Sequence, residues 1–184
     1  MKSLLDIFTV TFIGHRYIDR FSFVEEKVEE LIRELIATKE YVDFLIGRDG
    51  EFDQIAASTI LRVKRNVFEA NSTLTWVMPY ETAEYRNNEE SFHEYYDEVE
   101  VCTESAAGHF KSAIQTRNCY MVDRSDMLIC YVERKEGGAY KTMQYALKNG
   151  KHVINIFDMI LCVKAASIVL IKISQIFAKV YCNS

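Results

Sequence analysis

The sequence predicts an α/β fold: an open, mainly parallel sheet of about six strands flanked by helices, with an extra helix at the C-terminus. Three observations predict it. Short β-rich runs alternate with helical patterns, the order expected of βαβ units. Five of the seven glycines (Gly14, Gly47, Gly50, Gly137 and Gly138) sit just after strand-like runs. The chain has 184 residues, 49% hydrophobic and 27% charged, enough for one compact soluble domain.

The elements follow in order. "IFTVTFI" (7–13) reads as a strand ending at Gly14. Ser22 and Glu25 then have the spacing of a capping box. Val24, Val28, Leu31, Ile32, Leu35 and Ile36 keep the helical period. "YVDFLI" (41–46) is a second strand, ending at Gly47. Ile55, Ala56, Ile60, Val63 and Val67 make one face of a second helix. "TLTWVM" (73–78) is a third strand, stopped by Pro79, the only proline. The segment 81–104 carries nine acidic residues and one basic residue, Arg86, and reads as a solvated helix with a short strand, "VEVC" (99–102), behind it. A helix around 109–123 precedes "DMLICYV" (126–132), the most apolar strand. A helix over 139–149 closes on Gly150 as its C′ residue. "HVINI" (152–156) is the last strand.

This gives a domain over residues 1–157 and an apolar tail over 158–184. The tail carries Lys164, Lys172 and Lys179, and its longest uncharged run, 165–171, is far shorter than the ~20 residues of a membrane span. A docked helix or a homodimer contact is the expected role, with a membrane-surface helix as the alternative. The odd set of five cysteines shows no zinc-like spacing. Cys102 and Cys130 fall in apolar runs and read as buried thiols of a cytoplasmic protein. The N-terminus lacks a signal-peptide pattern. No metal and no cofactor is called for. A net charge of −5 disfavours broad nucleic-acid binding, which needs many cations facing phosphates.

In an open parallel sheet, the loops at the carboxyl ends of the strands form the ligand crevice. Helix N-termini point into it, and their free N–H groups favour an anion. "GHR" (14–16) puts His15 and Arg16 there, and a guanidinium holds phosphate through paired hydrogen bonds. "GRDGEFDQIAA" (47–57) puts Asp53 in the first turn of the second helix, where it caps that helix or accepts from a ribose or base. "EGGAYKTMQ" (136–144) places two adjacent glycines before the fourth long helix. The alternative is that all of these are turn glycines.

Taken in order, "TFIGHR", "IGRDGEFDQIAA", "RNCYMVDRSDMLICYV" and "EGGAYKTMQYALKNGKHVINI" resemble the SLOG superfamily, which unites the Smf/DprA proteins with the Lonely-guy nucleotide hydrolases. Within it the chain looks most like the YpsA-like branch of Firmicutes and their phages. The resemblance covers residues 5 to 157. It implies a Rossmann-like domain that binds or senses a nucleotide or an ADP-ribose-like ligand. It also implies a phosphate pocket built from Gly14, His15, Arg16, Gly47, Gly50, Asp53, Arg117, Asn118, Gly137, Gly138 and Thr142.

The motifs depart from the hydrolases at chosen points. Their Arg-Lys pair reads Arg117-Asn118 here, which leaves Arg117 as the candidate catalytic residue. Their paired glutamates fall on Gln144 and Tyr145, and an amide neither carries charge nor takes up a proton. The expectation is therefore a binding protein rather than an efficient enzyme. Nucleotide N-glycosidic or phosphoribosyl hydrolysis is the alternative, with Glu133, Glu136 or Asp123 as substitute carboxylates. DprA-like single-stranded DNA binding is a further alternative. Tyr131, Tyr140 and Tyr145 lie near the loop, but Glu133, Glu136 and the acidic segment make nucleic acid a disfavoured partner. A protein-interaction regulator is the last.

Overall fold

The computed structural model describes residues 6–66, 71–106 and 112–161. Six parallel strands form one sheet: β1 (Ile7–Gly14), β2 (Tyr41–Ile46), β3 (Ser72–Met78), β4 (Glu98–Val101), β5 (Met127–Tyr131) and β6 (His152–Asn155). Their order is β4-β3-β2-β1-β5-β6. The chain builds outward from β1 to one edge, then returns to β1's other side with β5. The topological switch therefore lies between β1 and β5, where Val10 pairs with Phe44 on one side and Met127 on the other.

The helices are α1 (Phe21–Thr38), α2 (Glu51–Asn66), α3 (Ala83–Asn87), α4 (Glu89–Tyr95), α5 (Thr103–Ala106), α6 (Ala113–Arg124) and α7 (Gly137–Lys148). Residues 156–161 begin a further helical stretch. Alternate strand residues divide between two cores. Phe12, Phe44, Ile46, Ile129 and Tyr131 pack with α1 and α2. Ile13, Leu45, Leu128 and Cys130 pack with Met121 of α6 and Ala146 of α7. Both faces are covered, which is why the strands read as near-continuous apolar runs. Phe12, Phe44 and Phe52 form an aromatic centre with ring centroids 6.0 and 6.4 Å apart, and burying each ring contributes roughly 1.5–3 kcal/mol.

Two local readings change. The first helix starts at Phe21, with Arg20 as an N-cap that makes no side-chain cap. Ser22 lies inside the helix, so Ser22 and Glu25 form no capping box. The acidic segment holds two short helices, α3 and α4, rather than one, with Thr82 capping α3 through Tyr85 N–H. Gly150 takes φ +68° after α7, as a C′ glycine does. Cys102 and Cys130 are buried free thiols, and burial pushes Cys130 up to about 12. Val67 and the tail from residue 162 on, with Cys162 and Cys182, lie outside the described residues. No helix among the described residues is long and apolar enough to cross a membrane.

Candidate functional site

The carboxyl ends of β1 and β5 open into a cleft of about 480 Å³. Gly14, His15 and Arg16 enter it from β1. Arg134, Glu136, Gly137 and Gly138 come from the loop after β5 and the start of α7. Asn118 comes from α6, Asp49 from the loop after β2 and Asp53 from the first turn of α2. Volumes of this size suit a small ligand or one nucleotide unit.

His15 organises the loop. Its backbone N–H donates to Tyr131 O at 3.1 Å, extending β1's pairing by one residue. Its Nε2 accepts the N–H groups of Glu133 at 3.0 Å and Arg134 at 3.1 Å. A nitrogen that accepts two N–H bonds carries no proton, so the ring is neutral with its proton on Nδ1. Burial, then the Arg134 charge, lowers its pKa and keeps it so.

The loop delivers the chain to α7 through Gly137, whose φ of +85° suits glycine. The N-cap, Glu136, makes no side-chain cap, and no acidic residue stands in the first turn. A side chain at Gly137 would meet nothing within 4 Å, and one at Gly138 only Gln115 Oε1 at 3.7 Å. The N-terminus of this helix is thus uncapped and open to the cleft, with Arg16 and Arg134 beside it. Such an end attracts an anion.

The other three strand-end glycines serve the protein's own packing. A Cβ on Gly14 would overlap the Phe52 side chain. One on Gly50 would lie 2.7 Å from Arg16 Cα. One on Gly47 would lie 2.6 Å from the Arg117 guanidinium. Of these, only Gly14 lines the cleft.

Arg117 is wholly buried. It forms an ion pair with Asp49 and donates to Val77 O at 2.8 Å, tying the loop after β2 to the end of β3. Arg117 does not line the cleft. Thr142 is buried too; its hydroxyl donates to Gly138 O at 3.0 Å and accepts from Gln115 at 3.1 Å, which fixes the first turn of α7. Asn118 is 6% exposed and does reach the cleft. Its Nδ2 faces Thr142 at 3.4 Å, while its Oδ1 has no partner. That oxygen is itself buried beneath the cleft wall rather than presented to the cleft.

Asp53 accepts Asp49 N–H at 2.6 Å and caps the α2 end of the same loop. Burial pushes its carboxyl up to about 6, against the pull of the backbone hydrogen bond and of Arg117. Arg48, just before, holds φ +79°, and its guanidinium lies over the rings of Phe92 and Trp76.

The structure thus gathers Gly14, His15, Arg16, Asp53, Asn118, Gly137 and Gly138 around one cleft, with Gly47, Gly50, Arg117 and Thr142 behind its walls. Sequence reasoning did not select Arg134 or Asp49. Arg134 sits three residues after β5 in "VERKEGG", a position the strand end marks out. Gln144 lies exposed on α7 and does not line the cleft. Of the substitute carboxylates only Glu136 lines it, and Asp123 accepts from Tyr145 Oη at 2.8 Å. Tyr131 is 1% exposed and is no stacking platform. The exposed rings stand elsewhere: Tyr17 at 70% and Phe21 at 52%, interleaved with exposed Arg16 and Arg20 in the connection from β1 to α1.

No protein-family model matches the sequence, and no curated protein sequence matches it. Solved structures do share the fold. DNA processing protein A (DprA) from Streptococcus pneumoniae superposes with a TM-score of 0.58 at 16% identity, over 80% of this chain and 49% of its own. The chain therefore spans about half of that protein. DNA processing protein A from Helicobacter pylori, which binds single-stranded DNA, superposes with a TM-score of 0.56 at 16% identity, over 84% of this chain and 71% of its own. The α/β Rossmann-like fold is thus shared with DprA.

The expectation that nucleic acid is a disfavoured partner does not stand, since a protein of this fold binds single-stranded DNA. The physical error lay in placing the acidic segment at the cleft. Its strand β4 is the sheet's edge, three strands from β1, and none of its described residues lines the cleft, although α4 lines the neighbouring hollow. Glu84, Asp97 and Glu100 within the segment are paired with Arg48, Lys64 and Arg124.

Proposed function

We propose that this chain binds single-stranded nucleic acid by seating a backbone phosphate at the N-terminus of α7. The observation that carries the reading is the uncapped helix end at Gly137–Gly138, open to the cleft between Arg16 and Arg134. Its N–H groups and dipole supply an anion site without requiring a basic protein. Arg16 and Arg134 add charge-assisted contacts. The His15 hydrogen bonds hold the loop in the conformation that presents these groups. Exposed Phe21, beside Arg16 and Arg20, supplies a ring for base stacking along the strand.

A second reading has one specific observation in its favour. The cleft of about 480 Å³, with Asn118 in its wall, is sized for a free nucleotide or a nucleotide-derived ligand, whose phosphate takes the same helix end. Motif order supports the YpsA-like branch for that reading. Hydrolysis of such a ligand would draw on the cleft carboxylates Asp49, Asp53 and Glu136 rather than on Gln144.

Titration of a labelled single strand and of mononucleotides by fluorescence anisotropy and competition tests both. Strand binding that mononucleotides displace only at great excess supports the first reading. Mononucleotide binding without strand binding supports the second.

A further inference from the structure

A second hollow, of about 800 Å³, lies between the start of α1, α2 and α4, on the other side of Asp53 from the cleft. Asp53 lines both, so the two are neighbours across one side chain. The rim of this hollow carries two exposed rings, Phe21 at 52% and Tyr95 at 42%. Its floor is aromatic as well. Phe92 and Tyr96 are 9% and 4% exposed, with ring centroids 4.8 and 5.4 Å from that of Trp76 behind them. Gln54 and Ser58, exposed on α2, and the Asp53 carboxyl put polar groups on one wall. Beyond Tyr95 and Ser58 the surface continues into a third hollow that holds Arg65.

We infer that this aromatic hollow is a nucleobase pocket, receiving a base of the same strand whose phosphate lies at the α7 terminus; the inference rests on the strand-binding reading above. Stacking between rings needs flat apolar faces that solvent reaches, and Phe21 and Tyr95 provide them. The edge of a base needs hydrogen-bond partners, and Asp53, Gln54 and Ser58 offer both donors and acceptors. The cationic groups fall on either side of the rings: Arg16 and Arg134 at the cleft, Arg65 past Tyr95. A strand crossing the start of α2 thereby meets cation, ring and cation in turn. Arg48, in its left-handed conformation, fixes the floor by covering Phe92 at 4.9 Å.

The test compares an oligothymidylate with an abasic strand of equal length, against the wild type and the Phe21→Ala, Tyr95→Ala double variant. Both rings are exposed, so melting temperature reports whether the variant stays folded. Wild type is expected to bind the oligothymidylate at least about fivefold tighter than the abasic strand, the lower end of one stacked base. The double variant is expected to bind both strands alike, at the wild-type level for the abasic one. Equal binding of both strands by the wild type overturns the pocket and leaves phosphate seating intact, as does a base preference that survives the double substitution. If wild type binds neither strand, the strand reading itself fails. The pocket is then judged by free thymidine and deoxyguanosine through Trp76, the only tryptophan. A fluorescence change lost in the double variant retains it, and no change overturns it.

Discussion

His15 at the end of β1 accepts the backbone N–H of Arg134 across the mouth of the cleft, at 3.1 Å. A side chain from one central strand thus sets the loop leaving the other. The bond exists only while Nε2 is unprotonated. The folded pKa of His15 lies below its ordinary value because of burial and the Arg134 charge. Its contribution is therefore complete above about pH 6.5 and is lost as the pH falls through the folded value. In urea denaturation, His15→Ala is expected to cost about 1–3 kcal/mol near neutral pH for two buried hydrogen bonds. The gap to the wild type should close in acid.

Asp53 behaves in the opposite sense. Its pKa is raised to about 6, so the folded state binds the proton more tightly than the unfolded chain. Stability from this group is present in acid and is lost as the pH rises through about 6. Asp53→Asn keeps an acceptor for Asp49 N–H and removes the titration. Relative to wild type it should gain on the order of 1–3 kcal/mol between about pH 4 and pH 7. Parallel stability–pH curves for the two proteins would contradict this.

Arg117 is a support rather than a ligand group. Truncation leaves Val77 O without its donor, Asp49 without its counter-charge and a void beneath Gly47. Arg117→Ala should cost about 3 kcal/mol or more. Gly47→Ala should also destabilise the fold, because the added methyl meets the pinned guanidinium. Thermal melting checks both. Unchanged melting in either would place the Arg117 side chain elsewhere.

Strand binding should depend only shallowly on salt. The two cleft arginines, Arg16 and Arg134, contribute roughly −1.4 to the slope of log K against log salt, at about −0.7 per neutralised phosphate on a single strand, and a strand that also reaches Arg65 adds about −0.7. Arg16→Ala should reduce the magnitude by about 0.7. Anisotropy titrations at several salt concentrations measure it, and a slope as steep as those of basic DNA-binding proteins would point to another surface.

All six strands were legible: the four central ones because a parallel sheet covered on both faces writes each as a largely apolar run, and the edge strand β4 by the alternation of Glu98-Val99-Glu100-Val101. Strand order was not, and that misplaced the acidic segment. The glycines were legible as strand-end residues, but their roles depend on what each would touch. Gly14, Gly47 and Gly50 make room for Phe52, Arg117 and Arg16, whereas Gly137 and Gly138 face open space. Ser22 mimicked a capping residue because spacing alone does not fix where a helix begins. Tyr17 and Phe21 flank the buried Ile18 and are both exposed.

The most direct test is the affinity of a labelled single-stranded oligonucleotide for Gly138→Glu against wild type. Space at Gly138 admits the side chain, and a carboxylate in the first turn suits the helix, so the variant should melt at or above the wild-type temperature. The same carboxylate occupies the anion position. The account predicts a folded variant whose binding falls at least about tenfold, or 1.4 kcal/mol. A folded variant that binds the strand as the wild type does would contradict it.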